Sequence, residues 1–252
     1  MKRLSVVLAA AACSTHHPNP GQSDAPAPKD APVFLDGFVF MDAPSNVPAM
    51  ITVSGNASSQ GLNSTTPVAG ATVGVYRESA DTSPLATATT DAMGNFTMTV
   101  PTGGQPIDGF IKSTATNYLD TYAYPSGAIV ANLSGININE ITSGNLGLLE
   151  LYAGVTQDSS KGVIALEVDD GMGSPVAGAT VVSVAASNPY RYDDPSNGLP
   201  SSSATATSSD GVAYMFNVPG EVAIGAMKTG ATFKSHRLNA RGNAFTMTNI
   251  TE

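Results

Sequence analysis

The chain has 252 residues, 42% of them hydrophobic and 12% charged, with a formal net charge of −9. That balance excludes a generic nucleic-acid binder, which would be basic, and the length allows one or two domains. The single cysteine, Cys13, excludes an intrachain disulfide, so the folded part must stand on burial alone.

Met1-Lys2-Arg3 is a short basic region, and Leu4 to Ala12 is an apolar run too short to span a bilayer as a helix. It ends Ala10-Ala11-Ala12-Cys13. The stretch resembles a bacterial lipoprotein signal over residues 1–12. The resemblance implies cleavage before Cys13, lipidation of that cysteine and attachment to a membrane through the N-terminal lipid. Where that family usually has Leu, three residues before the cysteine, this chain has Ala10, and Ala10-x-Ala12 also suits ordinary secretory cleavage. Ser14 follows Cys13, a residue type that goes with export to the outer membrane in enteric bacteria. Localisation is therefore expected in a bacterial cell envelope, at the outer membrane, or otherwise secreted.

Residues 13–48 are rich in Pro, Asp, Ala and Ser, and Asp-Ala-Pro recurs at Asp24, Asp30 and Asp42. Such a segment is expected to be a disordered tether, because it cannot bury enough apolar surface to order itself. An apolar island, Val33 to Leu35 and Phe38 to Met41, interrupts it. His16 and His17 read as solvated residues, not as a metal site.

The folded part begins near residue 49. Ile51 and Val53 open a strand, and Ser54 to Thr66 reads as a polar loop. Then comes Pro-Val-Ala-Gly-Ala-Thr-Val, which occurs twice, at Pro67–Val73 and Pro175–Val181, 108 residues apart. Each copy reads as a turn feeding a strand, with Val73 and Val181 inward and Thr72 and Thr180 outward. In the first copy Thr90, Asp91, Gly94 and Phe96 follow at a turn, and Phe96, Met98 and Val100 alternate inward. Asp91 reads as a turn former. Gly109 to Ala115 and Tyr118 to Tyr124 read as closing strands.

A Pro-Val-x-Gly-Ala-x-Val strand followed by Thr-Asp-x-x-Gly-x-Phe resembles the carboxypeptidase regulatory-like family, whose domain is a small transthyretin-like β-sandwich. The likeness covers residues 49–124 and 161–252. In the second copy Ser208 stands at the Asp position, and one extra residue precedes the aromatic Tyr214. The resemblance implies an all-β fold: two tandem transthyretin-like or Ig-like antiparallel sandwiches, 49–124 and 161–252, as separate units. It implies little about function, because this is an accessory domain.

Between the copies, residues 125–160 read as a connector with one short helix. Thr142 is its N-cap, Gly154 its stop, and Ile141, Leu148, Tyr152 and Val155 fall on one stripe. The second copy carries an insertion: Pro67 and Pro101 are 34 residues apart, whereas Pro175 and Pro219 are 44 apart. The inserted loop, Ser187 to Ser203, contains Tyr190, Arg191, Tyr192, Asp193 and Asp194, a set suited to stacking on and hydrogen-bonding a sugar or peptide. Lys228, Lys234, His236, Arg237 and Arg241 crowd the last strands and form a candidate site for an anionic partner.

No enzyme signature stands in the chain. Of the three histidines only His236 lies in the folded region, which excludes a multi-histidine metal site within one chain. There is no Gly-x-Ser-x-Gly elbow and no phosphate-cradling Gly-x-x-x-x-Gly-Lys-Ser/Thr. The expectation is a non-catalytic envelope lipoprotein with no cofactor and no metal. Its modules would serve structure or binding of a polysaccharide or envelope protein. The alternatives are a glycan- or peptidoglycan-binding surface protein and a hydrolase centred on His236.

Overall fold

Alternation of buried and exposed residues builds the first strands. The computed structural model describes residues 46–61, 65–187 and 189–252; Cys13, His16, His17 and the apolar island lie outside them. Strand β1 (Met50–Gln60) buries Ile51, Val53 and Ala57, and continues through the stretch expected as a polar loop. β2 (Thr65–Pro67) pairs with its far end. β3 (Thr72–Arg77) is the repeated strand, and β4 (Ala86–Thr89) lies beside it. β5 (Asn95–Pro101) buries Phe96, Met98 and Val100 and exposes the threonines between them, as expected. β6 (Gly109–Thr114) and β7 (Asp120–Tyr124) follow. The expected connector then supplies a strand, β8 (Leu133–Glu140), before helix α1 (Ser143–Ala153).

The second half runs β9 (Gly162–Asp169), β10 (Thr180–Val184), β11 (Tyr190–Asp193), β12 (Pro200–Ser201), β13 (Val212–Val218), β14 (Glu221–Met227), β15 (His236–Asn239) and β16 (Ala244–Thr251). It repeats the strand plan of the first half. β1 lies between antiparallel β5 and parallel β8, and β9 lies between antiparallel β13 and parallel β16. Likewise β3-β6-β7 corresponds to β10-β14-β15. Among the described residues the fold is mostly β, as expected.

The expectation of two separate units needs correction. β16 also pairs in parallel with β7 of the first half, so one nine-stranded sheet, β12-β11-β13-β9-β16-β7-β6-β3-β4, runs through both halves. The sheet containing β1, β5 and β8 packs on one of its faces, and the β10-β14-β15 sheet packs on the other. β16 and β9 serve both cores. Phe245, Met247, Val163 and Ala165 enter the first core, and Ala244, Ile250, Ile164 and Leu166 enter the second. A strand buried on both faces reads as a near-continuous apolar run, and Val163-Ile164-Ala165-Leu166 is one.

A hydrogen-bond pattern repeats with the sequence motif. The Thr90 hydroxyl donates to the Val68 carbonyl at 2.7 Å and accepts from the Ala71 amide at 2.9 Å. The Thr207 hydroxyl does the same with Val176 and Ala179, at the same two distances. The turns that follow also match: Gly94 and Gly211 donate to the carbonyls of Asp91 and Ser208, with φ of 78° and 71°. A positive φ suits glycine, which has no Cβ to clash. The Asp91 carboxylate accepts from the Met93 and Asn95 amides, the turn-forming role expected of it.

Val73 and Val181 are both buried, at 0% and 4% exposure, the first in one core and the second in the other. Val73→Ala and Val181→Ala are each expected to cost about 1–3 kcal/mol through lost burial and a cavity. Thr72→Ser, on the exposed face of β3, is expected to stay within about 0.5 kcal/mol. Chemical denaturation of the three variants checks both expectations.

Helix α1 begins and ends where its caps predict. The Thr142 side chain accepts from the Asn145 amide, and Gly154 closes the helix in the left-handed conformation. Its packed face follows the expected stripe at Ile141 and Val155 and departs from it at Leu148 and Tyr152. Leu146, Leu149 and Ala153 pack on the first core, while Leu148 and Tyr152 are exposed. The expected stripe took Leu148 and Tyr152 for core residues; they face an opening in the protein surface.

Candidate functional site

That opening is a cleft of about 290 Å³. One wall is the α1 face carrying Asn145, Leu148, Leu149 and Tyr152, with Gln60 and Gly61 beside it. The opposite wall is the hairpin turn 195–199 and the turn 208–210. Val212, Tyr214 and Phe245 of the nine-stranded sheet, with Ile141 and Asp193, complete the lining. Both halves of the chain therefore contribute to it.

Asp193 is the notable group of the site. It is 3% exposed, and its Oδ1 has no hydrogen-bond partner. Burial, reinforced by the charge of Asp210, pushes its carboxyl up to about 8. Burial raises the neighbouring Tyr214 hydroxyl in the same way, with the charges of Asp193 and Asp210 adding to the effect. Asp210 accepts from the Ser208 hydroxyl and the Val212 amide. Lysine, arginine and histidine are absent from the described lining.

The other members of the expected binding loop do different work. Residues 190–193 form strand β11, paired with β13, so their side chains alternate between two faces. Tyr192 is buried in the second core, where its hydroxyl accepts from the Val181 amide. Tyr190 shares a hydrogen bond with the Ser183 hydroxyl. Arg191 donates from Nε to the Ala153 carbonyl at 2.6 Å, satisfying a C-terminal carbonyl of α1. Asp194 accepts from the Ser196 amide and hydroxyl and organises the hairpin turn; those two bonds hold its carboxyl low. The inserted stretch expected as a loop is thus a strand at Tyr190 to Asp193. Of the five residues only Asp193 lines the cleft.

The extra residue expected before Tyr214 is not an insertion: threonine and glycine keep their spacing in both copies, and the aromatic of the second copy stands one position later. Gly94 and Gly211 occupy equivalent turn positions, so the counterpart of Phe96 is Ala213, which packs in the second core. Tyr214, one residue later, falls on the opposite face, against Phe216 at 6.3 Å between ring centroids.

The basic residues of the last strands do not form one patch. Arg241 is turned inward. It pairs with Glu78 and Asp81, each at 3.3 Å, donates to the Tyr124 hydroxyl at 2.9 Å, and lies 4.6 and 4.4 Å from the Phe110 and Tyr122 ring centroids. It thereby ties the second half to the first. Lys234 donates to the Glu252 carbonyl, while Lys228 and Arg237 are exposed. His236 is buried between sheets, with Nε2 bonded to the Thr248 hydroxyl at 2.7 Å. Burial pushes it down to about 4. Its Nδ1 has no partner, so the Ser–His–Asp relay that the hydrolase alternative requires is not assembled around it.

No group of three or more metal-ligating side chains occurs among the described residues, and none of their helices is long and apolar enough to cross a membrane. No family model matches the chain, and no curated protein matches it. Solved structures give distant likenesses. The shaft pilin SpaA of Lactobacillus rhamnosus GG is 11% identical, over 80% of this chain and 97% of that one, with a TM-score of 0.25. The minor pilin GBS52 of Streptococcus agalactiae is 13% identical, over 80% and 96%, with a TM-score of 0.25. The Bacillus anthracis TIE protein is 13% identical, over 79% of this chain and 33% of that one, with the same score. At such scores the likenesses carry no weight for function.

Proposed function

We propose that this chain is a non-catalytic cell-envelope lipoprotein, anchored through Cys13, whose tandem sandwich units of the carboxypeptidase regulatory-like, transthyretin-like kind hold a ligand or partner in the α1 cleft. The observation that carries the binding role is the cleft itself, which holds a buried carboxyl with no cationic side chain beside it among the described residues. Unpartnered buried polar groups are costly and cluster where a ligand completes them. The anchor rests on Ala10 to Cys13 and the outer-membrane address on Ser14.

Cys13→Ser is expected to abolish acylation and to move the protein from the membrane to the soluble fraction. Labelling cells with a fatty-acid analogue checks it, and unchanged labelling would overturn the anchor. A second reading, a glycan or peptidoglycan ligand, is favoured by Tyr152 and Tyr214 standing with Asn145, Asn197 and Ser208 around one opening. A glycan array probed with the full chain tests it.

A further inference from the structure

We infer that the α1 cleft is built for an alkylammonium group: a primary amine on an apolar stem, such as a lysine side chain or a small free amine. The inference rests on the reading of the cleft as a binding site and names the chemistry of its ligand.

Three features point the same way. Asp193 presents a carboxyl that is buried, lacks a partner at Oδ1 and stands near a second acid, Asp210. A cation relieves both the unpaired acceptor and the repulsion between the two acids. The described residues supply no cation there, since Asp193 and Asp210 are the charged residues of the lining and Tyr152 and Tyr214 its remaining titratable groups. Finally, Leu148, Leu149 and Phe245 offer apolar wall to a hydrocarbon stem, and tyrosine faces attract an ammonium head. The charged side chains that an anionic ligand meets in the described lining are both acids.

Proton linkage gives the test a sign. An ammonium binds ionised Asp193, so with that carboxyl near 8 its affinity rises about tenfold per pH unit from pH 6 to pH 8 and levels off above. A neutral polyol accepting from protonated Asp193 shows the reverse, weakening above pH 8.

The experiment is titration calorimetry of the full chain with n-hexylamine, acetyl-Gly-Lys-Gly-amide, the same peptide acetylated on its lysine, and N-acetylglucosamine, at pH 6, 7, 8 and 9. Binding of either amine probe that tightens with pH and is absent for the acetylated peptide supports the inference. A tenfold preference for the peptide identifies a protein lysine as the source, and a tenfold preference for n-hexylamine identifies a small amine. Asp193→Asn is expected to lose binding at least tenfold together with its pH dependence. Tyr152→Ala, at an exposed wall position, is expected to weaken binding severalfold without affecting the fold. No amine binding by the folded parent chain at any of these pH values overturns the inference. If N-acetylglucosamine binds instead and weakens above pH 8, the ammonium assignment fails while the cleft stands as a ligand site. If none of the probes binds, both fail.

Discussion

Deleting residues 243–252 is expected to unfold both halves of the protein, although the deleted segment lies more than a hundred residues from the first. β16 sits between β9 and β7 in the nine-stranded sheet, and its removal exposes both cores at once. Two point variants divide the effect. Phe245→Ala opens the first core and is expected to cost about 3–5 kcal/mol; Ile250→Ala opens the second and is expected to cost about 2–5 kcal/mol. Hydrogen exchange reads the outcome. Loss of amide protection in β6 and β7 on truncation supports a shared sheet, whereas full protection there would mean that the first half folds alone.

Asp193→Asn is expected to gain stability relative to the parent chain as pH rises from 4 to 9. The Asp193 carboxyl stands at about 8 in the folded chain against an ordinary 3.8. Between those values the folded state keeps a proton that the unfolded state has lost, so the parent loses stability as pH rises. Roughly four pH units at about 1.4 kcal/mol each place the full effect on the order of 5 kcal/mol. Glu140 and Asp169, both pushed up by burial, act with the same sign. His236 acts oppositely: pushed down to about 4 from 6.5, it contributes stability above pH 6.5 that is lost as pH falls toward 4. All three are common to parent and variant and cancel in the difference. Urea denaturation at pH 5 and pH 9 measures it. A difference that grows by several kcal/mol supports the buried, proton-holding carboxyl, and a constant difference overturns it.

The parts of the fold legible in the sequence were those with local signals. The repeated heptapeptide located β3 and β10, because alternation around one Pro and one Gly is contained within seven residues. Thr142 and Gly154 bounded α1 because capping is decided within a turn of the helix. β8 escaped notice although Ile136 and Ile138 alternate with Asn137 and Asn139, since Ser134-Gly135 and the asparagines resemble loop composition. The parallel join of residues 120–124 to 244–248 leaves no local mark at all. The cleft was half legible. Asp193 was singled out for its polar surroundings, but its companions at 60, 141–152, 208–214 and 245 are brought together only by sheet packing. Tyr190 and Tyr192 stand in an inserted stretch with the composition of a loop, whereas their period of two is that of a strand.

The displacement of the aromatic by one position, from that of Phe96 to that of Tyr214, turns it to the other face of its strand. The first copy has its aromatic, Phe96, in the first core. The second copy has a small residue, Ala213, at that position and carries its aromatic one step later, toward α1. Two exchanges at fixed length, Ala213 at the position of Phe96 and Tyr214 at the position of Thr97, thus place a ring in the lining of a cleft between the halves, with the threonine lock of both copies left intact. Exchange of side chains along one strand, with no change of length, is then sufficient to turn a tandem array toward a new recognition surface.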